Sequence, residues 1–269
     1  MSCGERERDK AIASLQAQQL RDWDFFEIKD KPNAQAHAEL YRTFTRNAPA
    51  YGFFLKLDAD MVLRSDSALT TLKALFGSSG IDQVMSDVND WPSGLLIPGM
   101  QAFSNRVTWP ENHDPLMVDT TPSVSGKRIR VSKDPAPLAD HMPDPSELQA
   151  FRYGIHRALK AIQPDRAIKK PARGQLHWAI LKGIWQRYRA GGDDRRLYSL
   201  LGADIVLGES EFDRKQLLEN YAGGYVEHIF GAVVARFGGD PAKGLSAAWE
   251  NDSLNDARWL KNWEAPPWI

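Results

Sequence analysis

The sequence predicts an α/β fold, with a sheet flanked by helices and a mainly helical C-terminal region. Over the first ninety residues, helical and strand patterns alternate along the chain, as they do in layered α/β domains. The run Phe53–Leu57 is compact and mostly apolar, which is typical of a buried strand. From residue 174 onward the patterns are mainly helical. These three observations define the fold class.

The N-terminal part is predicted to contain two helices with a strand between them. Apolar residues at roughly helical spacing predict a helix over residues 8–20. The segment Asp24–Ile28 is predicted as a short strand. Pro32 and Asn33 mark the start of a second helix, which continues through Phe44.

A strand, a helix and another strand follow. The strand 53–57 leads, past a capping cluster at Ser65–Ser67, into an amphipathic helix that ends at Gly77. Residues 81–88 are predicted as the next strand. This alternation is the main support for an α/β layered domain.

The remainder divides into a proline-rich stretch and a helical region. Residues 89–145 are predicted to form long loops with short strands at Gly94–Ile97 and Lys127–Val131. Ser146 and Gln149 form a capping box at the start of the next helix. Further helices are predicted at 176–189, 213–221 and 225–237, before a tail rich in tryptophan.

The composition limits the class of protein. The net charge of -1 argues against a dedicated nucleic-acid-binding protein, which usually has a strong basic excess. The single cysteine, Cys3, excludes a disulfide within one chain. The polar N-terminus does not resemble a signal peptide, and no apolar run approaches the roughly 18–20 residues that span a bilayer. We therefore expect a cytoplasmic protein.

Two aspartates, Asp58 and Asp60, directly follow the strand 53–57. Open α/β sheets bind ligands beyond the carboxyl ends of their strands, and residues two apart can face the same side. Mg²⁺ and Mn²⁺ prefer oxygen ligands and often share them with phosphates. The pair therefore predicts a metal site for a diphosphate leaving group. A solvated turn or a helix cap is the alternative interpretation of an isolated Asp-x-Asp.

The segment Phe53–Met61 resembles the metal-binding segment of glycosyltransferases with the GT-A fold, in particular bacterial enzymes of the family 2 type. Lys31–His37 resembles the start of a helix that lies beside the nucleotide in those enzymes. Ser2–Glu5 resembles a loop that touches the base and the ribose. The resemblance is good over about residues 2–105 and weaker through 163.

The resemblance implies a GT-A-like (Rossmann-like) catalytic domain over residues 1–163 and a helical region over 164–269. It also implies that Asp58 and Asp60 hold Mn²⁺ or Mg²⁺. In the family an apolar strand precedes the first loop, and that strand is missing here. This departure from the family pattern concerns the pocket for the uracil or guanine base of the nucleotide. The residues implied in binding the donor are Glu5, Glu27, Asn33, His37 and Lys56.

The resemblance also implies that later segments supply a third metal ligand or a catalytic base. His141, at the end of the proline-rich loop, is the candidate ligand because imidazole suits Mn²⁺, and a surface position is the alternative. Asp140 is the candidate base that deprotonates an acceptor hydroxyl. Asp87 and Asp90 are the other candidates for the catalytic base, and the alternative role for both is turn formation.

The resemblance, together with these residues, implies a glycosyltransferase that moves a sugar from a nucleoside diphosphate sugar to a hydroxyl of a glycan, lipid-linked or protein acceptor, as in cell-surface glycan biosynthesis. Two alternatives stay open: a non-catalytic protein that binds sugar nucleotides or glycans, and a nucleotidyltransferase. A further hypothesis is a peripheral contact with a membrane, made by a basic stretch and by the Trp-rich tail. The alternative is a charged linker for the basic stretch and packing for the tryptophans. The residues concerned are Arg166, Lys169, Lys170, Arg173, Trp249, Trp259, Trp263 and Trp268.

Overall fold

The computed structural model divides the chain into two compact units. The first comprises Met1–Trp91 and Leu95–Pro145, and the second comprises Pro92–Gly94 and Ser146–Ile269. The domain boundary expected after residue 163 stays a prediction. The structure describes residues 5–78, 80–114, 116–132, 136–164, 170–191, 193–207, 217, 224–238, 240–245 and 249.

The first unit is mixed α/β. Its described elements are α1 (Arg8–Gln16), α2 (Asn33–Asn47), β1 (Phe53–Lys56), β2 (Met61–Leu63), α3 (Ala68–Gly77), β3 (Ile81–Asp90), β4 (Leu95–Ser104), β5 (Lys127–Val131) and β6 (Ala139–His141). The three helices and the strands β1, β3 and β5 confirm the order predicted from sequence. The α/β class is therefore confirmed for this unit.

The strands form one six-stranded mixed sheet. Its order is β1-β4-β3-β6-β2, and β5 also pairs with β3. The long strand β3 is the centre: it runs antiparallel to β4, and its other edge pairs in parallel with β5 first and then with β6. Because β6 also pairs antiparallel with β2, it connects the end of β3 to the start of β2.

The strand predicted at Asp24–Ile28 is wrong. These residues form no regular secondary structure, and Phe25 and Phe26 are 48% and 47% exposed. A strand requires a hydrogen-bonded neighbour as well as an apolar pattern. Asp24–Ile28 has the apolar pattern but no hydrogen-bonded neighbouring strand among the described residues.

The strand β4 is longer than the four residues predicted from sequence. It continues through Pro98, where the register with β3 shifts between Ser86 and Asp87. Proline has no N–H to donate and is tolerated in sheets at such bulges. The proline at this position therefore marked an irregularity within the strand rather than its end.

Aromatic packing fixes α2 against β1. The rings of Phe44 in α2 and Phe54 in β1 are stacked with centroids 4.8 Å apart. Tyr41 stacks on Trp109 at 5.1 Å, which brings the segment after β4 onto the same helix. This cluster places the polar side of α2 beside the carboxyl end of β1.

The second unit is helical. It contains α4 (Glu147–Ile162), α5 (Pro171–Arg189), α6 (Asp194–Leu207) and α7 (Gly224–Arg236). The predicted cap of α4 is confirmed, since the Ser146 side chain accepts from the Gln149 N–H at 3.2 Å. The helix α6 was not specified from sequence. The predicted helix 213–221 lies outside the described residues, apart from Leu217.

Two glycines bring α4 and α6 into close contact. A Cβ at Gly154 would overlap the backbone carbonyl of Ser199, and a Cβ at Gly202 would overlap that of Phe151. Glycine at both positions lets the two helices approach backbone to backbone. Any larger residue would push them apart.

The residues expected at a membrane surface are only partly described. Trp249 is 1% exposed and its ring centroid lies 6.3 Å from that of Trp185, which confirms the packing role for this tryptophan. In the described ranges, no helix combines the length and the apolar character needed to cross a membrane. Arg166, Lys169, Trp259, Trp263 and Trp268 lie outside those ranges.

Candidate functional site

Asp58 and Asp60 lie in the tight turn between β1 and β2. The turn is closed by a hydrogen bond from the Met61 N–H to the Asp58 carbonyl at 3.0 Å. In each aspartate the Oδ1 atom is buried and has no hydrogen-bond partner among the described residues. A buried carboxylate oxygen without a partner costs free energy, so two of them in one turn indicate a position built for a cation or a donor.

His141 faces Asp60 across the β2–β6 pair. In the antiparallel register Met61 lies opposite His141, and the Met142 N–H donates to the Asp60 carbonyl at 2.7 Å. As a result, the Nε2 atom of His141 lies 3.5 Å from Oδ2 of Asp60. His141 belongs to β6 and is buried, so the alternative of a surface position is wrong. A strand of only three residues carries too little pattern to be seen in sequence.

Asp90 lies on the other side of the same imidazole. Its Oδ1 atom is 2.7 Å from Nδ1 of His141, and Asp90 is fully buried at the end of β3. Burial disfavours the imidazolium, yet Asp60 and Asp90 together outweigh burial and raise the pKa of His141 to about 10. A metal ion bound here would take the place of a proton on His141.

Asp140 and Asp87 do not join this cluster. Successive residues of a strand point to opposite faces, so Asp140 lies on the other face of β6 from His141. It accepts from Asn89 at 2.8 Å. Asp87 is buried and accepts two hydrogen bonds from Arg130, both at 2.9 Å. The structure therefore does not bring Asp140 and His141 together in one cluster.

A second polar cluster connects α2 to the carboxyl end of β1. The buried ammonium of Lys56 lies 3.3 Å from Oδ2 of Asp58 and 3.1 Å from Oδ1 of Asp119. Tyr41 and His37 reach the same Asp119 oxygen at 3.1 and 3.3 Å. The sequence did not indicate Asp119, because it lies in a proline-rich stretch without a motif.

The charges of this cluster are fixed by their neighbours. Burial opposes the charge on both Lys56 and Asp58, but Asp119 and Asp58 together raise the pKa of Lys56, and Lys56 lowers the pKa of Asp58. Burial and Asp119 raise the pKa of Tyr41, so its hydroxyl stays protonated and can donate. Asp58 is therefore an anion with one oxygen directed at Lys56.

The other three expected donor-binding residues, Glu27, Glu5 and Asn33, also have structural contacts. Glu27 accepts two hydrogen bonds from Arg8, at 2.7 and 3.0 Å, and Arg8 is the main reason that the pKa of Glu27 is lowered to about 2. The carbonyl of Glu5 accepts from the Arg8 N–H at the start of α1. Asn33 is the first residue of α2, and its carbonyl lies 3.0 Å from Nδ1 of His37.

A cavity of about 780 Å³ lies beside β1 in the first unit. Its lining is mostly apolar, from α1, α3, β1 and residues 20–28, and it includes the side chains of Glu27 and Asp58. Pockets for small ligands are commonly about 300–1,000 Å³. Its lining does not include Glu5, Asn33, His37 or Lys56. The structure therefore brings Glu27 and Asp58 to one cavity and places the other expected donor residues elsewhere.

The cluster can bind a cation only with further ligands. Within the described residues, no group of three or more His, Cys, Asp or Glu side chains is placed to hold a metal ion as it stands. Mg²⁺ sites in proteins often use one or two carboxylates, with waters and substrate phosphates as the remaining ligands. The turn at Asp58 and Asp60 has the residues that such an open site requires.

Comparisons with known proteins add no relative. No family model, no curated protein and no solved structure matches the chain. The class that the fold and the site define is a mixed α/β protein with a carboxylate cluster at the end of a strand.

Proposed function

We propose that the chain is a metal-dependent glycosyltransferase that uses a nucleoside diphosphate sugar as its donor. The observation that carries the proposal is the pair of buried, unpartnered Oδ1 atoms of Asp58 and Asp60. The separation of 3.5 Å between Asp60 Oδ2 and His141 Nε2 adds support, since two ligands at about 2.1 Å from one ion lie about 3–3.5 Å apart.

In the proposed reaction, the acceptor oxygen forms a bond to the anomeric carbon of the sugar. The bond from that carbon to the diphosphate oxygen breaks, the nucleoside diphosphate departs with that electron pair, and the acceptor hydroxyl releases its proton to solvent. Asp58, Asp60 and His141 would hold Mn²⁺ or Mg²⁺, which neutralises the charge that develops on the departing diphosphate. Lys56 keeps Asp58 ionised for this role.

One observation favours the non-catalytic alternative, a protein that only binds sugar nucleotides. Asp87 is held by Arg130, and Asp140 lies on the other face of β6 from His141, so neither aspartate stands beside the cluster as a base. Hydrolysis or transfer of a nucleoside diphosphate sugar, measured with and without Mn²⁺, separates the two functions. Binding without turnover, across a panel of donors and acceptors, would select the alternative.

The metal site itself is tested by calorimetry of UDP and GDP in the presence of Mn²⁺. We expect Asp58→Asn and Asp60→Asn to abolish metal-supported nucleotide binding while the far-UV circular dichroism stays unchanged. Asp66→Asn is the matched control, because Asp66 is an exposed residue of the segment after β2. Unchanged affinity in both Asp58→Asn and Asp60→Asn would contradict the proposal.

A further inference from the structure

The two ring nitrogens of His141 face two different carboxylates. Nδ1 lies 2.7 Å from Asp90, and Nε2 lies 3.5 Å from Asp60. The two aspartates differ in setting: Asp60 keeps 21% of its side chain exposed, whereas Asp90 is fully buried. Only Asp60 is therefore open to a ligand that arrives from solvent.

The backbone holds Asp90 and His141 side by side. They are register partners in the parallel β3–β6 pair, and the Trp91 N–H donates to the His141 carbonyl at 3.1 Å. On the other edge of β6, the Met142 N–H donates to the Asp60 carbonyl. The imidazole is thus set between Asp60 and Asp90 by the sheet, and only its ring orientation depends on a side-chain contact.

We propose that Asp90 is the positioning residue of the metal site: it accepts the Nδ1–H of His141 and thereby directs the Nε2 lone pair toward a cation at Asp60. This inference rests on the proposed function, since it requires a divalent ion at Asp58 and Asp60. Histidines that bind metals usually donate their second ring N–H to a carboxylate, which fixes the tautomer and the orientation of the ring.

A carboxylate is the partner that this arrangement requires. A neutral imidazole has one N–H, and it binds a metal through its other nitrogen. Asp90 accepts only, so it selects the form with the proton on Nδ1. In Asp90→Asn the amide can donate as well as accept, and the form with the proton on Nε2 becomes accessible.

The first measurement is the Kd for Mn²⁺ in the absence of nucleotide, followed by electron paramagnetic resonance. We expect Asp90→Asn to weaken Mn²⁺ binding by about 10–100-fold. Asp82→Asn is the matched control: Asp82 is an equally buried aspartate of β3, held by Ser104 and the Gly126 N–H. It should lose stability without a change in the Kd for Mn²⁺.

The second measurement is the protonation of His141 in the Mg²⁺-loaded protein, by ¹⁵N NMR of the imidazole. We expect a proton on Nδ1 in the wild type, and a proton shifted wholly or partly to Nε2 in Asp90→Asn. A residue with a merely structural role would not alter this signal. The NMR spectrum also reports whether each variant is folded.

The outcomes separate this inference from the proposed function. If Asp60→Asn weakens Mn²⁺ binding and folded Asp90→Asn does not, the role of Asp90 is overturned and the metal site stands. If Asp82→Asn weakens binding as much as Asp90→Asn does, general loss of packing explains the effect and the role of Asp90 is again overturned. If neither Asp58→Asn nor Asp60→Asn changes the Kd, the proposed function fails, and this inference fails with it.

Discussion

The ammonium of Lys56 lies between two carboxylates, 3.3 Å from Asp58 and 3.1 Å from Asp119, while only 5% of its side chain is exposed. A buried lysine in this position connects the turn of the candidate site to the segment that follows β4. Its removal would leave two carboxylates without their cation.

Lys56→Met is therefore expected to destabilise the protein by about 3–5 kcal/mol, the usual cost of removing one partner of a buried ion pair. The measurement is the free energy of unfolding in urea. Lys73→Met is the control, because Lys73 is exposed on α3, and it should change stability by less than about 0.5 kcal/mol. Equal stabilities for the two variants would show that the ion pair contributes nothing.

Mn²⁺ is expected to stabilise the wild-type protein against unfolding. A ligand that binds only the folded state at 100 times its Kd adds about 2.7 kcal/mol. The midpoint of thermal unfolding should rise with Mn²⁺ and return after EDTA. In Asp60→Asn the shift should vanish. A shift of equal size in that variant would place the bound ion elsewhere.

The contact between α4 and α6 gives a prediction for the second unit. Gly154→Ala should destabilise the protein by about 1–3 kcal/mol, because a Cβ at this position overlaps the carbonyl of Ser199. Gly231→Ala in α7 meets no atom within 4 Å, and the better helix propensity of alanine should stabilise by about 0.5–1 kcal/mol. Urea unfolding of both variants tests the opposite signs.

The buried His177 predicts how stability changes with pH. Burial is the largest cause of its lowered pKa, and the positive charge of Arg157 adds to it, with smaller contributions from His156, Lys160 and Arg173. The unfolded chain takes up a proton on His177 near pH 6.5, whereas the folded chain does not. The stability of the wild type should therefore fall, through this residue, as the pH drops below about 6.5.

His177→Gln keeps an acceptor for Arg157, which lies 3.1 Å from Nδ1 of His177, and removes the titration. When the pH is lowered from 7.5 to 5.5, the unfolding free energy of the wild type should fall more than that of the variant. His228→Gln, at an exposed position of α7, should show no such change. A constant difference across this range would contradict the prediction.

The elements with a strong hydrophobic pattern could be located from the sequence, and so could the two aspartates that follow β1. The helix α2 and the strand β1 were both recognisable, and so was the Asp-x-Asp that ends β1. The strands β2 and β6 have three residues each, and their existence depends on neighbours supplied by distant segments. For the same reason, the contact between Asp90 and His141 could not be predicted.

Other errors also have physical causes. Asp140 and His141 were grouped because they are adjacent in sequence, and strand geometry separates them to opposite faces of β6. Asp87 was a candidate base because it is an acidic residue near a strand end. Only the structure shows that Arg130 occupies both of its oxygens. Proximity in sequence indicates which side chains could share a site, and the pairing of the strands determines which of them do.

The three-residue strand β6 has a consequence for how the candidate site comes into being. Asp90 and His141 are 51 residues apart in the chain, and His141 reaches Asp60 only through the pairing of β6 with β2. Closing such loops costs entropy before any contact compensates for it. In the described sheet β2 pairs with β6, so a partly assembled sheet that lacks β6 would hold neither the imidazole nor the Asp60 end of the turn. The placement of His141 beside Asp60 is thus a property of the finished sheet, and it is lost when these three residues detach.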